Sequence, residues 1–177
     1  LFFVVLAVQG LGALSAAAHG PTPKKVEETI AIAAPPAAVW AIVEDFGTIA
    51  DWHPLVAKSE GKGGNAAGAE REVTLKSGGV LRDGLDEYLA EDMSYGYRLA
   101  KENVDAFPVS FYAATLTVKP GASGGSDVAW IGRFYRADTS NFPPEDKNDA
   151  AAVAAMTTFF QEGLQGLKAK AEVNKKD

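Results

Sequence analysis

The sequence predicts an α+β fold in which antiparallel strands close on one long C-terminal helix. Val26, Glu28, Ile30 and Ile32 alternate with Glu27, Thr29, Ala31 and Ala33, the signature of an extended segment. Pro35-Pro36 turns the corner into Val39, Ile42, Val43 and Phe46, spaced as the apolar stripe of a short helix. Near the end, Val153, Met156, Phe159, Phe160, Leu164 and Leu167 mark a helix of about 25 residues, ~38 Å long at the usual rise per residue. Such a helix can lie across a whole curved sheet. Strand, proline corner, short helix, Asp51-Trp52-His53-Pro54 and a series of later strands form the order of a helix-grip domain.

Residues 1–18 stand apart. Leu1 to Leu14 is nearly all apolar and uncharged, and Ala16 and Ala18 meet the small-residue rule for signal-peptidase cleavage. This stretch is expected to be a secretory signal peptide, truncated at its start and cleaved near Ala18. Its run of about fourteen apolar residues is shorter than the ~20 that span a bilayer, so no stable membrane anchor is expected after cleavage. Residues 19–177 are then one domain.

Composition narrows the functional classes. With 47% hydrophobic residues, the chain can bury a core without covalent staples. Cysteine is absent, which removes disulfides, thiolate nucleophiles and thiolate metal sites together. Seventeen basic residues stand against 23 acidic ones, a formal charge of −6, so the chain lacks the cationic excess that neutralises phosphates. Nucleic acid is not an expected partner.

The middle of the chain reads as strands separated by glycine-rich turns. Gly61-Lys62-Gly63-Gly64-Asn65 and Lys76-Ser77-Gly78-Gly79 are the clearest turns. Val73 and Leu75 alternate before the second; Leu81, Leu85 and Leu89 share a face after it, with Asp83 and Glu87 between them. Met93, Tyr95, Tyr97 and Leu99 line one face of the next strand. Tyr112, Ala114, Leu116 and Val118, then Trp130, Gly132 and Phe134, point inward from a pair joined at Pro120-Gly121. Asn141 to Asp146 ends the sheet and opens the long helix. Gly163 and Gly166 inside that helix lose roughly 1 kcal/mol each relative to alanine, which points to close packing against strands or a ligand.

These stretches carry a resemblance. APPAAVWAIVEDFG, DWHP, GG-x-L, VAWIGRFYR and TTFFQEGLQGLKAKAE, in that order, resemble the SRPBCC superfamily, the START-like or polyketide-cyclase and lipid-transport proteins. The match covers nearly all of residues 25 to 172. Within it, His19 to Val26 together with WHP, LKSGG and GRFYRAD is similar to the periplasmic MxaD-like proteins of methanol oxidation. The resemblance implies a seven-stranded antiparallel sheet curved around the C-terminal helix, two short helices after the first strand, and a cavity between sheet and helix. It further implies a periplasmic, non-catalytic accessory role beside a quinone-dependent methanol dehydrogenase and its cytochrome c. It brings no catalytic residues, no cofactor and no metal.

The residues leave alternatives open. His53, between Trp52 and Pro54, could serve as a general base or metal ligand, or fix a turn by hydrogen bonding. Two histidines without cysteine give no cluster with metal-ligand spacing. Trp52, His53, Tyr95, Tyr97, Tyr112, Trp130, Phe134 and Phe159 are the cavity candidates, able either to orient a small apolar ligand or to fill the core. Asp83 or Glu87 could pair with Arg98 or Arg133 inside the sheet, or all four could be solvated. Beside the accessory role stand a carrier of a small apolar ligand and a cyclase-like enzyme. The enzyme lacks a recognisable nucleophile, base and orienting acid.

Overall fold

A computed structural model of the chain describes residues 21–173; the expected signal peptide lies outside them. Strand β1 (Lys24–Ile32) leads through Pro35 into helix α1 (Pro36–Val43), followed by a 3-10 turn at Phe46–Asp51. Strands β2 (Val56–Lys62), β3 (Glu70–Leu75), β4 (Val80–Leu89), β5 (Ser94–Lys101), β6 (Val109–Pro120) and β7 (Ser126–Arg136) precede helix α2 (Asp149–Val173). The strands form one antiparallel seven-stranded sheet in the order β1-β7-β6-β5-β4-β3-β2. This is the helix-grip architecture, with short helical segments after β1.

Local chemistry sets the boundaries. Pro36 stands in the first turn of α1, where a missing N–H breaks no bond. The predicted stripe splits: α1 ends at Val43, and Phe46 opens the 3-10 turn, whose Gly47 N–H donates to Asp45 Oδ1 at 2.8 Å. The loop after β7 contains a 3-10 turn at Glu145–Lys147, and α2 begins at Asp149. Asn148 Oδ1 accepts the Ala151 N–H at 3.0 Å, so the side chain caps a donor that the helix leaves free. The 25 residues of α2 match the expected length.

The core lies between α2 and the concave face of the sheet. Ala152, Met156, Phe160, Leu164 and Leu167 of α2 are buried, and the Phe160 ring stacks on Trp130 with centroids 4.5 Å apart. Tyr112, Ala114, Leu116 and Val118, and Trp130 and Phe134, point inward as their alternation predicts. Gly132 shares that face because a Cβ there would stand 2.8 Å from Met156 Cε and 2.9 Å from Phe160 Cζ.

Among the described residues the sheet has register shifts at four places, and two of them change which side chains face the core. One between Leu85 and Glu87 shifts the β4–β5 register, leaving Leu89 at 40% exposure rather than beside Leu81 and Leu85. Tyr88 turns toward α1 instead, its ring 5.7 Å from Trp40. The other lies between Ser110 and Ala113 of β6, where Phe111 takes φ +48° and is exposed while Tyr112 is buried.

Candidate functional site

The N-terminal half of α2 faces the β3–β4 turn and the β5–β6 loop across a gap rather than a tight contact. The gap is a pocket of about 370 Å³. Leu55, Leu75, Ala106, Phe107, Pro108, Ala154, Ala155 and Phe159 give it an apolar lining, and Lys76, Ser77 and Thr158 supply the polar groups. Small side chains at Ala154, Ala155 and Thr158 leave this space open on the helix side. Gly79, at φ +85°, brings the turn so close to Ala106 that a side chain at 79 would collide with it. The Phe107 ring meets Phe159 edge-on, with centroids 5.7 Å apart, and forms the inner wall.

Behind Phe159 stands His53, 1% exposed. Leu55 N–H donates to His53 Nδ1 at 3.2 Å, so the ring proton lies on Nε2 and is donated to the Phe159 carbonyl at 2.9 Å. Both ring nitrogens are engaged, which leaves no free lone pair for a general base. The arrangement is that of a histidine fixing a turn and tying it to the helix. Gly163 makes the approach possible, since a Cβ there would stand 2.7 Å from both His53 Cδ2 and Trp130 Cζ3.

Burial lowers the His53 pKa from 6.5 to about 4, with the Arg71 charge acting in the same direction and the Phe159 carbonyl opposing. Above pH ~6.5 the ring is neutral both folded and unfolded, and the shift contributes no difference. As pH falls, the unfolded chain takes up the proton first, so stability declines until the folded pKa is reached. The expected loss is about 2 kcal/mol by about pH 5 and roughly 3 kcal/mol in full. Urea unfolding of the wild type and His53→Gln at about pH 7 and about pH 5 tests this. An equal loss in both proteins would remove His53 as its source.

Of the cavity candidates, Phe159 lines the pocket. Trp52, His53, Tyr95, Tyr97, Tyr112, Trp130 and Phe134 do not; they are buried in the core. Trp130 Nε1 donates to the Tyr97 hydroxyl at 3.0 Å, Trp52 lies 5.6 Å from Trp130, and Tyr97 lies 6.2 Å from Tyr112.

Among them sits Arg71, 2% exposed. Its guanidinium lies over Phe46 at 4.3 Å and Tyr97 at 4.6 Å, donates to Asp83 Oδ2 at 2.9 Å and reaches the Phe46 carbonyl at 3.1 Å. The Tyr112 hydroxyl donates to the other Asp83 oxygen. Burial works against the Arg71 charge, but Asp83 and the surrounding tyrosines outweigh it and hold the group above its ordinary pKa. Burial also pushes the Asp83 carboxyl and the Tyr95, Tyr97 and Tyr112 hydroxyls up, so the phenols remain protonated donors.

A carboxylate–arginine pair thus exists inside the sheet, with a different arginine from those expected. Arg98 binds Asp86 at the surface, and Arg133 and Glu87 are exposed. Arg71 alternates with Val73 and Leu75, and that spacing was the available signal. Among the described residues no group of three His, Asp or Glu side chains could hold a metal ion, and no helix is long and apolar enough to cross a membrane.

The curved sheet, the long helix and the pocket between helix and turns define a protein of the cyclase and lipid-transport class. Residues 23–172 match the family described as polyketide cyclase / dehydrase and lipid transport, and the chain belongs to it. Solved structures of the same fold include the protein XoxI from Bacillus cereus, with a TM-score of 0.70 and 24% identity over 82% of this chain and 94% of that one. A protein from Nitrosospira multiformis has a TM-score of 0.70 and 22% identity, covering 87% and 100% of the two chains. A protein from Thermobifida fusca has a TM-score of 0.65 and 28% identity, covering 83% and 92%. No curated protein sequence matches the chain.

Proposed function

We propose that this protein is a non-catalytic binding protein that takes a small apolar ligand into the pocket between α2, the β3–β4 turn and the β5–β6 loop. The observation that carries this reading is the pocket itself: about 370 Å³, walled by aliphatic and aromatic side chains with a few polar groups at its margin. His53, with both nitrogens occupied, and the sealed Arg71–Asp83 pair offer no reactive group to it. Octanol, followed by chemical-shift changes, should bind saturably, with the changes centred on Phe107, Ala155 and Phe159. Ala154→Phe, on the exposed side of α2, should fill the space and weaken binding at least ten-fold while leaving the fold intact. Wild-type protein that does not bind octanol, or an unaffected Ala154→Phe variant, would count against the reading.

A second reading concerns the cellular setting: an exported accessory protein of methanol oxidation, serving a quinone-dependent dehydrogenase and its cytochrome c. What supports it is the convergence of the motifs shared with MxaD-like proteins near one end of the molecule. Lys76 of LKSGG donates its backbone N–H to Leu55, just after Trp52-His53-Pro54, at 2.9 Å. Ala137 of GRFYRAD donates to Pro108 of the pocket wall at 3.2 Å. Native mass spectrometry of the protein recovered untagged from its host should give a chain beginning near His19 with a dehydrogenase or cytochrome attached. An uncleaved chain or a bare monomer would oppose this reading.

A further inference from the structure

Lys76 holds a distinctive position at this pocket. It is the one ionisable side chain among the lining residues, and no carboxylate joins it there. The ion pairs among the described residues engage Lys24, Lys25, Lys58, Lys147 and Lys168, and none engages Lys76. Its backbone is fixed: Lys76 N–H donates to the Leu55 carbonyl at 2.9 Å, and the turn closes through Leu75 N–H to Gly79 and Gly78 N–H to Leu75, each at 3.0 Å. The flexible stem therefore departs from a fixed point at the pocket margin. Ser77 on the same turn and Thr158 across the opening add hydroxyl groups that can donate to the same acceptor.

We infer that the pocket selects amphipathic ligands whose apolar body lies against Phe107 and Phe159 and whose carboxylate is held by the Lys76 ammonium with help from Ser77 and Thr158. This rests on the apolar-pocket reading above and specifies its ligand class. Lys76 is exposed at the pocket mouth, and an ammonium with no carboxylate neighbour in the pocket attracts an anion without first breaking a pair. His53 behind Phe159 is neutral at physiological pH and supplies no second cation deeper in. The anionic end is thereby confined to the mouth and the apolar end to the interior.

The test compares octanoate with octanol, which share the chain and differ in the terminal group. Wild-type protein should bind octanoate about ten-fold more tightly than octanol, about 1.4 kcal/mol. Lys76→Gln should remove the preference, bringing octanoate to the level of octanol in the same variant, whereas Lys76→Arg should retain the preference. Added salt should reduce octanoate affinity alone. Equal binding of the two ligands by the wild type, or an octanoate preference that survives Lys76→Gln, would overturn this inference while the apolar pocket stands. Absence of binding by both ligands would overturn the pocket reading itself.

Discussion

Arg71→Met is expected to destabilise the fold by about 3–5 kcal/mol, because it leaves the Asp83 carboxylate in the interior without its cation. Asp83 is 2% exposed, and with Arg71 gone the Tyr112 hydroxyl would still donate to it. Asp83→Leu is expected to do comparable damage by stranding the guanidinium between Phe46 and Tyr97. The double variant should recover much of the loss, since two apolar side chains of similar bulk need no partner. Urea unfolding of the four proteins in a double-mutant cycle measures the coupling. Single variants that each lose under about 1 kcal/mol, with additive effects, would show that the pair is not stabilised as described.

Gly166→Ala is the second large effect. In an exposed helix the change would stabilise by about 1 kcal/mol. Here a Cβ would collide with the Trp52 carbonyl and stand 2.6 Å from Pro54 Cδ. Backbone and a proline ring cannot rotate away, so either α2 lifts off the Trp52-His53-Pro54 segment or that segment moves. A net loss of about 3 kcal/mol is expected, with the His53–Phe159 bond weakened in the same step. The midpoint of urea unfolding reads the first effect, and the pH dependence attributed to His53 reads the second. A variant more stable than the wild type would refute the close packing.

Much of this architecture was legible from residue spacing. Strict alternation identified the inward faces of β6 and β7, because one face of each is buried against α2 and the other is not. The two helix glycines signalled close approach, and the structure supplies the partners: His53 and Trp130 at Gly163, and the Trp52 carbonyl and Pro54 at Gly166. Leu89 was misplaced because a bulge reverses the faces after Leu85, and no single residue there announces it. Arg71 and Asp83 obeyed the alternation, but charge argued for solvent; only the meeting of β3 and β4 in register, Arg71 opposite Asp83, makes burial tolerable. Apart from Phe159, the pocket's lining was illegible for another reason. Its walls come from a turn, a loop and three small residues of α2, and vacant space between distant segments leaves no periodic trace.

The sheet order also governs when the molecule can become whole. Among the described residues β1 pairs only with β7, Lys24 facing Phe134 and Ile32 facing Ser126, so it waits for a strand made much later. A ribosome-bound chain that has not yet emerged through β7 holds β1 without its neighbour and without α2 to cover it. Such an ordering makes assembly slow and late, since the longest loop must close before its contacts can form. Until β7 has been made, the growing polypeptide carries β1 as an unpaired strand and cannot complete its sheet.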